Sequence, residues 1–177
     1  MFRTADKMRP MWFSCSIAIV MLGVMARPLP IYAQTMFAVC HQPNVKCTPS
    51  YSFESYHLPF ALKEKLVFGK TYWSQPFYAV VLKTVKAQGD AECFHVTEDE
   101  RLEAQAIWPT RKVFASRFSC PEELVHYENA DQDFNFLAVY AGTNITEARR
   151  VLTQVRKNKR FWRAYIKRMQ VVLDYST

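Results

Sequence analysis

The sequence predicts an α+β domain built from two β-α-β repeats, preceded by an irregular N-terminal segment. Three observations predict it. A strand-type run at Phe77–Leu82 reappears in type at Phe136–Ala141, with Phe, Ala and Val coinciding at a constant offset. Each run is followed by a helix N-cap signal and a periodic helix. Each helix is followed by a second strand-type run. Half of the 177 residues are hydrophobic and 15% are aromatic, so a full core can be buried. That composition excludes a disordered chain, and 4 Gly with 9 Pro exclude collagen-like and low-complexity classes.

Residues 1–33 read as a signal peptide. Arg3, Lys7 and Arg9 form a basic start, and Met11–Ala26 is apolar and uncharged. Pro28 and Pro30 stop further helix, and cleavage is expected after Ala33. The run is short for a membrane span of ~20 residues. The alternatives are an uncleaved membrane anchor and a buried helix. Cleavage removes Cys15 and leaves Cys40, Cys47, Cys93 and Cys120. An even number suits an oxidising compartment, periplasmic or extracellular. Of the three connectivities, the local one is expected, Cys40 with Cys47 and Cys93 with Cys120. Four buried thiols in a protein that stays inside are the alternative.

Residues 34–75 lack a period but are rich in aromatics, among them Phe37, Tyr51, Phe53, Tyr56 and Phe60. They read as an extended segment wrapped on something; an aromatic ligand platform is the other reading. Residues 76–177 hold the two repeats. In the first, Thr97 and Glu100 form a capping box, and Leu102, Ala106 and Ile107 are the expected buried stripe. Pro109 ends that helix, and Lys112–Phe118 is the second strand. In the second, Asn144 caps a helix over roughly 146–157, whose stripe is Ala148, Val151, Leu152 and Val155. Arg163–Leu173 closes the unit as a strand, and Pro121–Asp133 is read as an acidic connector. Right-handed crossovers put both helices on one sheet face, which gives a ferredoxin-like (split β-α-β) two-layer sandwich.

The second unit resembles a known family. Phe136-Leu-Ala-Val-Tyr-Ala-Gly142, Asn144-Ile-Thr-Glu-Ala-Arg-Arg-Val-Leu152 and Ala164-Tyr-Ile-Lys-Arg168 look like the SPOR (sporulation-related) repeat. The resemblance is best over 136–168, and the first unit departs from it through its long first connection and Pro-ended helix. It implies an exported bacterial envelope domain that binds peptidoglycan glycan strands through an open sheet face, without catalysis. The signal followed by two such units also looks like exported bacterial proteins of uncharacterised role.

Alternation along the first strand of the second unit gives Leu137, Val139 and Ala141 to the helix-covered face. Phe136 and Tyr140 then point to the opposite face, as does Phe77 by the offset. Sugar rings pack on aromatic faces while rim groups bond their hydroxyls. The expected ligand-binding set is therefore Phe77, Arg117, Phe136, Tyr140, Tyr165 and Lys167. The plain alternative is that residues 34–75 cover these aromatics as core.

The formal charge of +7 is concentrated. Residues 149–168 carry nine basic side chains and no acid, including Arg156, Lys157, Lys159, Arg160 and Arg163. The rest of the mature chain is net acidic. The ridge suits peptidoglycan or another anionic envelope polymer, and a protein partner is the second option. Cations near a helix C-terminus are also favoured for structural reasons alone. Nucleic acid is disfavoured: the paired strand aromatics of RNA-binding sheets are missing, and export argues against it. The membrane enters only through an uncleaved signal. An enzyme is disfavoured too. Glu98, Asp99 and Glu100 are better explained as a helix start, and the chain has neither a nucleophile elbow nor a phosphate loop. The histidines and cysteines lack metal-ligand spacing, so no metal and no cofactor are expected.

Overall fold

A computed structural model describes residues 36–44, 47, 51–87, 96–117, 120 and 123–176. The expected signal at 1–33 and Cys93 lie outside the described residues. The elements are β1 (Lys70–Trp73), β2 (Phe77–Lys86), α1 (Glu98–Ile107), β3 (Val113–Ala115), β4 (Val125–Glu128), β5 (Phe134–Tyr140), α2 (Ile145–Arg156) and β6 (Tyr165–Tyr175). A short 3-10 turn at Lys159–Phe161 joins α2 to β6. Residues 34–177 pack as one unit.

The local signals of both helices are realised. The Thr97 hydroxyl accepts from the Glu100 N–H at 3.2 Å, and the Asn144 side chain accepts from the Thr146 N–H at 2.7 Å. Ala148, Val151 and Val155 form the buried stripe of α2. The stripe expected on α1 is corrected: Leu102 and Ile107 are exposed, and Arg101 and Ala104 face inward. Arg101 tolerates burial because Glu98 neutralises it and the Val113 carbonyl accepts from its Nη1 at 3.2 Å.

The expected ferredoxin-like two-layer sandwich of β-α-β repeats is overturned. The protein is a mostly antiparallel sheet, a curled half-barrel of five to six strands, with two helices. The path is β1-β6-β2-β5-β3, and β4 also pairs with β6. Two strands that the sequence reading missed, β1 and β4, drive the difference. β6 is 11 residues long. Its first half pairs with β2, and its second half with β1 and β4. β1 and β2 follow one another along β6, interrupted at Pro76, which has no N–H for the ladder. Ser74 bridges the break: its N–H donates to the Val171 carbonyl and its hydroxyl accepts from the Val171 N–H, both at 2.9 Å. A bulge in β2 between Val81 and Lys83 adds twist. Left-handed Asn129 (φ 61°) turns the chain away after β4.

The sheet is therefore buried on both faces. Val80, Leu82, Leu137, Val139 and Ala141 pack under α1 and α2. The concave face carries a second core. There Phe77, Phe114, Phe136 and Tyr140 meet Phe37, Leu58, Phe60 and Tyr72 from the N-terminal segment. That segment is a strap across the face. Phe37 bridges to Ser74 and Val39 to Phe60, and the Ala115 N–H donates to the Tyr56 carbonyl at 2.9 Å along the β3 edge. A Cys40–Cys47 disulfide, Cα–Cα 5.9 Å, closes a loop within the strap.

Candidate functional site

The ligand face expected from alternation is core. Phe77, Phe136 and Tyr140 keep 0%, 4% and 4% of their surface, so none can meet a sugar. The alternation along β5 holds, but the strap, β3 and β4 occupy the face. Tyr140 stacks on His41 at 4.7 Å and meets Phe77 in a tilted contact at 5.5 Å, while Phe136 meets Phe114 and Tyr127. Burial pushes the Tyr140 phenol up. Arg117 lies apart from these, with its guanidinium over the Tyr56 ring, 3.2 Å from the centroid. Burial, then the Glu123 charge, push the Tyr56 phenol up to about 12.

Three of the six expected residues do come together. Phe136 floors a cleft whose walls include Tyr165 and Lys167, with Phe134 and Asp131 opposite. Val81 and Thr84, on either side of the β2 bulge, and Ala130 and Asp131 of the β4–β5 turn line it. Its volume is about 40 Å³. That holds a water molecule or two, not a sugar ring. Burial and the nearby Asp131 charge raise the Tyr165 phenol.

A polar cluster that the sequence did not reveal lies where the strap meets the chain before β4. His57 Nε2 stands 2.6 Å from Glu123 Oε1, and the Tyr56 hydroxyl donates to Glu123 Oε2 at 3.3 Å. His57 Nδ1 accepts from the Glu54 N–H at 3.0 Å. That acceptor role assigns the ring proton to Nε2, which donates to the carboxylate. The Leu58 N–H donates to the Tyr127 hydroxyl at 3.1 Å beside it. The cluster ties the strap to the chain before β4. No sequence signal links residues 66 positions apart.

The carboxylates at the start of α1 are engaged structurally. Glu98 binds Arg101, whose hydrogen bond holds its carboxyl below the usual range, and Glu100 receives Lys83 at 3.0 Å. Lys112 donates to the Ser55 carbonyl at 2.9 Å; burial, with Arg101 adding to it, pushes its ammonium down to about 8. Among the described residues no group of three or more His, Cys, Asp or Glu could hold a metal ion.

The basic ridge is the open surface. Arg149, Arg150, Arg156, Lys157, Lys159, Arg160, Arg163 and Arg168 are exposed, and Lys167 is half-buried. Arg156 clamps the Ala164 carbonyl through Nε at 3.0 Å and Nη2 at 2.8 Å, and Arg160 pairs with Glu103 and Glu100. The others have no carboxylate within ion-pair reach among the described residues. Trp162, 60% exposed, and Tyr165, 45% exposed, stand among them.

No family model, no curated protein and no solved structure matches the chain. The disulfide is the chemistry of a non-cytoplasmic, oxidising compartment. No helix of the described residues is long and apolar enough to cross a membrane.

Proposed function

We propose that the protein is an exported, non-enzymatic binding module for an anionic envelope surface, with the ridge at 149–168 as its contact face. One observation carries the reading: eight exposed cations in one run, of which only Arg160 has a carboxylate partner among the described residues. Clustered like charges raise the local potential and draw in anionic partners. Cations favoured by the α2 C-terminus account for Arg156, Lys157 and Lys159, not for Arg149, Arg150, Arg163 or Arg168. The Cys40–Cys47 bond supports an extracytoplasmic partner. The resemblance of 136–168 to the SPOR repeat names peptidoglycan as a polymer to try, with the ridge in place of the buried sheet face as its contact.

The test is sedimentation with purified peptidoglycan sacculi. The protein should pellet at low salt and be released as salt screens the charges. The combined Lys157→Glu, Lys159→Glu and Arg163→Glu variant should stay in solution. A wild-type protein that remains in the supernatant at low salt would sink the peptidoglycan reading.

A second reading, an assembly subunit, is favoured by the turn before β1. Val67 and Phe68 are 55% and 71% exposed there. The turn is rigid: the Lys70 N–H donates to the Val67 carbonyl at 3.2 Å, and Gly69 holds φ 82°. A fixed apolar tip suits a protein partner. Loss of a co-purifying partner on Phe68→Ser would support it.

A further inference from the structure

We infer that the ridge docks on an anionic phospholipid bilayer, with Trp162 entering the headgroup layer. This rests on the anionic-surface reading above and names the surface. Trp162 is held in place by its neighbours. Phe161 before it is buried against Trp108, with ring centroids 5.3 Å apart, and Ala164 after it is buried with its carbonyl clamped by Arg156. An indole kept 60% exposed by a rigid turn loses little conformational freedom on insertion. Its amphipathic ring suits the boundary between headgroups and acyl chains.

The surroundings select lipid over glycan. A sugar platform needs a free aromatic face and carboxylate or amide groups for the hydroxyls. The Arg163 guanidinium covers one face of the Trp162 ring at 4.6 Å, the stretch 149–168 contains no carboxylate, and its amide nearest to Trp162 in the chain, Asn158, already accepts from the Arg160 N–H at 3.0 Å. Lys157, Lys159, Arg160 and Arg163, all exposed, lie within five residues of the indole along the turn that joins α2 to β6. Cations around one apolar anchor match phosphate headgroups over an apolar layer.

The experiment is co-sedimentation of residues 34–177, the self-packed unit, with phosphatidylglycerol–phosphatidylcholine vesicles, with pure phosphatidylcholine vesicles and with lipid-free sacculi. Binding is expected to be strongest to the anionic vesicles, weaker to the sacculi and absent with the neutral vesicles; sacculi bound as tightly as the anionic vesicles would overturn the choice of lipid. Trp162→Ser should weaken it about tenfold, the worth of one buried large apolar side chain. Each charge removed at Lys157 or Lys159 should weaken it about fivefold. Phe68→Ser, on the turn that packs against Tyr175 at the other end of β6, should bind like wild type. All four sites are exposed, so circular dichroism should be unchanged. If charge removal abolishes binding but Trp162→Ser does not, insertion is wrong and the anionic-surface reading stands. If neither matters, both are wrong. Loss with Phe68→Ser instead would move the contact to the apolar tip and overturn the proposal.

Discussion

The imidazole of His57 and the carboxylate of Glu123 form a buried pair at 2.6 Å, with side chains 6% and 12% exposed. The pair fastens the strap over the concave core. The Glu54 N–H occupies the other ring nitrogen, so the ring orientation is set from both sides.

Removing one partner should loosen the strap. His57→Ala leaves the Glu123 carboxylate buried with only the Tyr56 hydroxyl as a hydrogen-bond partner among the described residues. A loss of about 3 kcal/mol is expected in urea unfolding. His57→Gln, which can still donate to the carboxylate, should recover part of it. Equal stability of His57→Ala and wild type would mean that the pair fastens nothing.

The buried aromatics should behave as core. Phe77→Ala removes a fully buried ring that packs on Phe114 and Tyr140, and should cost about 4 kcal/mol. Tyr165→Ala, at a residue 45% exposed, should cost below about 1 kcal/mol. Thermal and urea midpoints separate the two.

The Cys40–Cys47 bond closes a loop with a sequence separation of 7. The chain-entropy relation gives about 2 kcal/mol for so short a loop. The double variant Cys40→Ser, Cys47→Ser should lower the urea midpoint accordingly. An unchanged midpoint would show that the bond does not stabilise the strap.

Lys112 predicts a pH dependence. Its folded pKa is about 8 against an ordinary 10.5. Between these values the unfolded chain holds the proton that the folded chain has released, so stability rises with pH. The slope is at most about 1.4 kcal/mol per unit from this group. The raised phenols of Tyr56 and Tyr140 act oppositely once free tyrosine ionises, near pH 10. The window to measure is therefore about pH 8 to 10. Lys112→Met should flatten the rise there and be more stable than wild type at neutral pH.

Signals that depend on near neighbours were legible. Thr97 and Asn144 cap the helices they announce, because a cap is a bond to a backbone N–H two or three residues on. The α2 stripe follows from spacing alone. The α1 stripe failed because the pairing of Arg101 with Glu98 and the Val113 carbonyl turned a charged side chain inward. β1 and β4, four residues each, carry too few residues for an alternation to show.

By itself the sequence determined the two helices, the faces of β5 and the basic run at 149–168. These rest on local period, capping and composition. Only the tertiary structure decided that the strap, together with β3 and β4, buries Phe77, Phe136 and Tyr140. It also decided that β6 collects β1, β2 and β4, and that Trp162 stands exposed among cations. The physical reason is range. Strand pairing and face burial are contests among distant segments for the same apolar surface, and no window along the chain contains both contestants.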